Sequence, residues 1–180
     1  MFMIDPLIIL VLSVSLALLF FMAARHKMSA PQQFAAQLEA YELLPRALVA
    51  PVSRVLPLLE MAVVFLVLVP QTRSFAALLA ASLLFVYGLA MAINMVRGRA
   101  DIDCGCGGQP QVLSAWLLLR NTVLVAGSCL LLAPTSDRAI TLSDLLFLIL
   151  MTTLLAMVYL LVEQLVRNHS VLANRSSSHG

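Results

Sequence analysis

The sequence predicts an all-α fold: a polytopic bundle of five transmembrane helices, with a short amphipathic helix after the first. Three observations carry this. The 180 residues are 62% hydrophobic and only 11% charged, against about 45–50% and about 25% in a water-soluble domain. The mean hydropathy is +1.00. The apolar residues also fall into five runs of near-spanning length, at 6–24, 52–69, 75–96, 112–133 and 142–162, each close to the ~20 residues that cross ~30 Å of hydrocarbon as a helix.

These runs are rich in Leu, Ala and Met and do not alternate with period two, so they read as helices and not as barrel strands. The first follows the leader Met1-Phe-Met-Ile-Asp5, which has no basic residue. It is longer than a usual signal core of about 7–15 residues, which predicts a retained span. Between the first two spans lies the longest polar segment. Ser29 has capping-box spacing to Gln32, with Pro31 at a plausible first helical position. Phe34, Leu38 and Tyr41 share one helical face, and Pro45 ends the run. A short helix lying on the membrane surface is expected here, or alternatively a turn packed on the bundle. One bundle domain is expected over 1–166, with a flexible polar tail at 167–180.

A net charge of +2 supplies no broad basic face for nucleic acid. Under the five-span arrangement, Arg25, Lys27, Arg46, Arg54, Arg97, Arg99, Arg167 and Arg175 lie on one side of the bilayer, and Arg73 and Arg138 on the other. The charge rule makes the first side cytoplasmic. It is also the side of the loop between the third and fourth spans, Arg97-Gly-Arg-Ala-Asp-Ile-Asp-Cys-Gly-Cys-Gly-Gly108.

That loop holds the chemistry. Cys104 and Cys106 are one residue apart, and a disulfide needs Cα atoms about 4.4–6.8 Å apart. The backbone between them must fold tightly, which Gly105 and Gly107 permit. The small ring would be strained, and strained disulfides are labile and suited to electron exchange. Arg97 and Arg99 favour a thiolate, Asp101 and Asp103 oppose it, and either Asp is a candidate proton acceptor. Metal handling is the weaker reading. Only His26, His169 and His179 could join the cysteines, and no pair has familiar ligand spacing. Cys129, about 34 Å of continuous helix from Cys106, reads as inert packing.

Within the spans, Glu60 and Arg120 are ionisable. A charged group at mid-bilayer costs about 2.5–3.5 kcal/mol on an insertion scale, so they either snorkel to one face or pair in a polar pocket. Tyr87, Asn94 and Asn121 could extend such a pocket, and Trp116 is an interfacial anchor or one wall of a quinone site.

Several segments together resemble the MauE/DoxX family of redox-associated membrane proteins. They are Ala23-Ala-Arg-His-Lys27, Tyr41-Glu-Leu-Leu-Pro45, Leu56-Pro-Leu-Leu-Glu60 and Asp101-Ile-Asp-Cys-Gly-Cys-Gly-Gly108. The resemblance implies a five-helix protein of the bacterial inner membrane that helps an exported enzyme mature, with Cys104 and Cys106 as the redox pair. It implies a thioredoxin-like partner resembling MauD, and methylamine dehydrogenase, through its small subunit, as the client. It also implies a periplasmic cysteine loop, against the charge rule. A quinone is a candidate electron acceptor, and no metal is expected. Two other classes stay open: a non-catalytic scaffold that docks partner and client through Phe34 and Tyr41, and a Cys/His metal-handling protein.

Overall fold

The computed structural model describes residues 4–99, 114–136 and 138–177. Among them are six helices and no strand; Ile4 and Thr135 form an isolated bridge. Four helices are long and apolar enough to cross a membrane. The chain is therefore a multi-pass membrane protein, with five apolar helices where five spans were expected. It forms two compact units, Met1–Asp137 and Arg138–Gly180.

Helix α1, Pro6–Ser29, begins with Asp5 accepting the Leu7 N–H at 2.8 Å and Pro6 at the first position. Its buried residues Ile9, Ser13, Leu16, Phe20, Ala24 and Lys27 repeat every three or four positions and, with Ala17 beside Leu16, form one stripe. Lys27 is thus the continuation of an apolar face.

Helix α2, Pro31–Ala40, is the amphipathic helix. Its N-cap is Ala30, and Ser29 makes no capping bond to it. The expected capping box does not form because α1 runs through Ser29, whose hydroxyl donates back to the His26 carbonyl at 2.8 Å. Phe34 turns inward, so α2 packs on the bundle.

Helix α3, Arg46–Leu68, starts six residues before the expected span. Pro51 and Pro57 lie inside it, where each removes a ladder donor without ending the helix. Helix α4, Arg73–Val96, approaches its neighbours through Ala76, Ala77 and Ala80, all fully buried. Small residues let helices approach closely where lipid supplies no hydrophobic drive. Helix α5, Ala115–Leu130, is shorter than the expected fourth span. Its 16 residues rise about 24 Å. Ile4 is tied to the chain after α5, donating to the Pro134 carbonyl and accepting from the Ser136 N–H, each at 3.0 Å.

The second unit is dominated by α6, Leu142–Ser177. At its start the Asp144 carboxylate accepts from both the N–H and the hydroxyl of Thr141 at 2.8 Å, while Arg138 grips the same carboxylate with two bonds of 3.1 Å. The helix continues to Ser177, through much of the segment read as a polar tail. Once nucleated, each added residue contributes a hydrogen bond. Large side chains such as Phe65, Phe75 and Phe85 stay exposed, as lipid-facing residues do.

Candidate functional site

The first unit's helices alternate in direction, so one end gathers the end of α1, all of α2, the start of α3, the end of α4 and the start of α5. The chain leaves this end at Arg99 and re-enters it at Ser114. Cys104, Cys106, Asp101, Asp103, Gly105 and Gly107 belong to the intervening segment and lie outside the described residues, as does the Gln109-Pro110 pair. What is described is the platform that carries the loop.

The platform's edge is made by local backbone rules. Helix α4 ends with Arg97 as C-cap and Gly98 at φ +73°. Gly98 N–H donates to the Met95 carbonyl and Arg99 N–H to the Asn94 carbonyl, each at 3.0 Å. This is a Schellman motif, and its left-handed position suits glycine. The turn delivers Arg99 to Glu42. Two bonds of 2.8 Å join the guanidinium fork to the carboxylate. The Arg99 hydrogen bond, reinforced by its charge, holds the Glu42 carboxyl below its ordinary range. Glu42 itself sits at φ +49°, a left-handed conformation unfavourable for a residue with a Cβ. Both partners are solvent-exposed, so the bridge orients the chain more than it stabilises the fold.

Beneath this edge, Tyr41, Met95 and Leu118 pack around buried Met91 and Leu117. Deeper lies a buried ionic cluster. Glu60 is 0% exposed and Lys27 4%. The Lys27 ammonium donates to Glu60 Oε1, and the Tyr87 hydroxyl donates to the same oxygen at 2.9 Å. The ammonium also lies 4.7 Å from the Tyr87 ring centroid and 5.2 Å from that of Phe34, within cation–π range. Glu60 Oε2 is buried without a hydrogen-bond partner. Four helices thus meet at one charge pair: α1 through Lys27, α2 through Phe34, α3 through Glu60 and α4 through Tyr87.

This arrangement revises several expectations. Glu60 pairs with Lys27 and not with Arg120, which is half-buried on α5. Phe34, read as a partner-facing residue, is 7% exposed and roofs Lys27, while Tyr41 packs onto the bundle. Cys129, read as packed inside, is exposed, which an apolar thiol tolerates on a lipid-facing helix. Trp116 is half-buried, with its indole nitrogen shielded and unbonded. Sequence reasoning missed Lys27 because it counted it with the loop charges. The available signal was its place in the stripe from Ile9 to Ala24. Among the described residues, no three His, Cys, Asp or Glu side chains gather in a metal-binding group.

The sequence pattern of the family described as "Methylamine utilisation protein MauE" matches residues 5–134. A relative from Methylophilus methylotrophus named "Methylamine utilization protein MauE" is 32% identical over 166 residues, covering 90% of this chain and 87% of its own. Proteins of the same name from Paracoccus denitrificans and Paracoccus versutus are 41% and 37% identical, covering 69% and 68% of this chain and 68% and 67% of their own. No solved structure matches the chain. With the matched region running from the first turn of α1 to the end of α5, the chain belongs to the MauE family.

Proposed function

We propose that the protein is an accessory of methylamine utilisation in the bacterial inner membrane, supporting the maturation of an exported enzyme by thiol–disulfide exchange. Family membership carries the first part, since the relatives are named for methylamine utilisation. The Cys104-Gly-Cys106 pair carries the second, because adjacent thiols flanked by glycine suit a labile disulfide. The described platform supports this reading. A Schellman turn at Gly98 and the Arg99–Glu42 bridge fix where the cysteine segment leaves the bundle, and the Lys27–Glu60 pair ties the helices below it.

In the exchange, a thiolate of the reduced pair attacks the disulfide of a thioredoxin-like partner. One S–S bond breaks in the partner and one forms between Cys104 and Cys106. Two electrons and two protons pass to the partner's cysteines, and the reverse sequence oxidises them. The client is an exported disulfide-containing enzyme, with methylamine dehydrogenase as the candidate.

The test is complementation. A host deleted for this protein should regain growth on methylamine with the wild-type chain and fail to do so with the C104S/C106S double variant at equal membrane abundance. Full growth with the double variant would remove the thiol step and leave a scaffold role.

A further inference from the structure

The opposite end of the first unit holds polar groups that the thiol chemistry does not use. There a pocket of about 190 Å³ opens between α1, the end of α3 and the start of α4. Its walls are apolar, with Leu10 and Val14 from α1 and Val67 and Leu68 from α3. Two polar residues, Ser13 and Arg73, also line it. Ser13 is 5% exposed, and its hydroxyl has no hydrogen-bond partner. Several helical hydroxyls of this chain bond back one turn, as Ser82 does to Leu78, Thr122 to Leu118 and Ser128 to Leu124, whereas those of Ser13 and its α1 neighbour Ser15 have no partner. Ser13 instead keeps a donor unused at the pocket wall.

Arg73 is the first residue of α4 and is half-buried. No carboxylate among the described residues pairs with it. The N-terminus of α4 is uncapped as well. Thr72 sends its hydroxyl to the Leu66 carbonyl at 2.8 Å, and the first turn contains no acidic residue. Free N–H groups and the helix dipole therefore add to the arginine's charge. A cation at membrane level needs an anionic partner. No acidic side chain lines the pocket to meet an ammonium head. The volume is below the roughly 300–1,000 Å³ of pockets that enclose a whole small ligand, so most of the ligand must lie outside, in the bilayer.

From this juxtaposition we infer that the pocket binds one anionic phospholipid. Arg73 and the α4 N-terminus face its phosphate, Ser13 donates to a phosphate or ester oxygen, and the upper acyl chain lies against the α1–α3 wall. The site is at the other end of the unit from the cysteine loop, so it is independent of the redox proposal.

Native mass spectrometry of the full-length protein in detergent tests it, with phosphatidylglycerol, phosphatidylcholine or inorganic phosphate as the probe. The wild type should retain one phosphatidylglycerol at least ~10-fold more tightly than phosphatidylcholine. Arg73→Gln should erase that preference, Ser13→Ala should weaken it about threefold, and Arg46→Gln at the opposite end should leave it intact. Equal retention of the two lipids by the wild type would overturn the inference whatever the variants do. So would undiminished phosphatidylglycerol binding by Arg73→Gln. Inorganic phosphate binding as tightly as phosphatidylglycerol would show a free-anion site and overturn the lipid assignment.

Discussion

Replacing Lys27 with methionine isolates the energetics of the buried ionic cluster. The substitution keeps an unbranched chain of similar length and removes the charge. It leaves the fully buried Glu60 carboxylate with only the Tyr87 hydroxyl facing it. Removing one partner of a buried pair costs about 3–5 kcal/mol, mostly because the other charge stays desolvated. Glu60→Met should cost about as much, since it strands the ammonium between the Phe34 and Tyr87 rings. The double variant leaves no orphaned charge, and replacing both ions by apolar side chains is often neutral or stabilising by about 1–4 kcal/mol. Thermal unfolding in one detergent or in nanodiscs, followed by fluorescence-detected size exclusion, reads the difference. For a chain of this size about 1 kcal/mol corresponds to about 2–4 °C. Each single variant should therefore lose at least about 6 °C, and the double variant should return close to the wild type. Single variants within about 2 °C of wild type, or a double variant worse than both, would refute the pairing.

Four further outcomes follow from the same geometry. Tyr87→Phe keeps the ring against Lys27 but removes the 2.9 Å bond to Glu60, and should lose about 1.5–3 kcal/mol in the same assay, as expected for a hydrogen bond to a charged group. Gly98→Ala meets no atom within 4 Å, so its cost is that of a left-handed backbone alone, about 1–2 kcal/mol; no loss of stability would contradict the Schellman assignment. The Glu42–Arg99 bridge depresses the Glu42 carboxyl. Its contribution is thus present above the ordinary glutamate range and is lost as pH falls through the lowered value. NMR titration of a labelled Glu42 carboxyl should move upward in Arg99→Gln, and an unchanged titration would contradict the bridge. With Cys129 replaced by alanine, a membrane-impermeant maleimide should label Cys104 and Cys106 on intact cells after mild reduction. Labelling only after permeabilisation would place the loop in the cytoplasm and contradict the proposed exchange with an exported client.

Much of the fold was legible because lipid imposes a simple length rule. Five apolar runs of near-spanning length became five helices, and the Phe34–Leu38–Tyr41 face became α2. Boundaries were less legible where local signals compete. The second span was expected to begin at Val52, just after Pro51, yet α3 starts at Arg46 and runs through both Pro51 and Pro57. Ser29 had a capping spacing, yet the preceding helix claimed it. The ionic cluster was half legible. Glu60 was conspicuous inside an apolar run, but its partner was sought in the next intramembrane charge, Arg120. Lys27 is 33 positions away in sequence, and only packing of α1 against α3 brings it to Glu60. The Arg99–Glu42 bridge spans 57 positions and was invisible for the same reason. The positive-inside count is altered too, because Lys27 is neutralised inside the bundle and is not a loop charge. Two of the loop's supporting residues, Arg97 and Arg99, prove to be the capping turn and the anchor of the segment.

The central claim is that Cys104 and Cys106 form a reversible redox pair. Cells can be quenched in acid, free thiols blocked, and the purified protein reduced, alkylated with a second mass label and digested. Mass spectrometry then reads the peptide containing both cysteines. The redox account predicts that both carry the second label in a substantial fraction of wild-type molecules. It also predicts that this fraction rises when the thioredoxin-like partner is supplied as its disulfide and falls when it is supplied reduced. Both cysteines carrying only the first label under every condition, with the protein still supporting growth on methylamine, would contradict it.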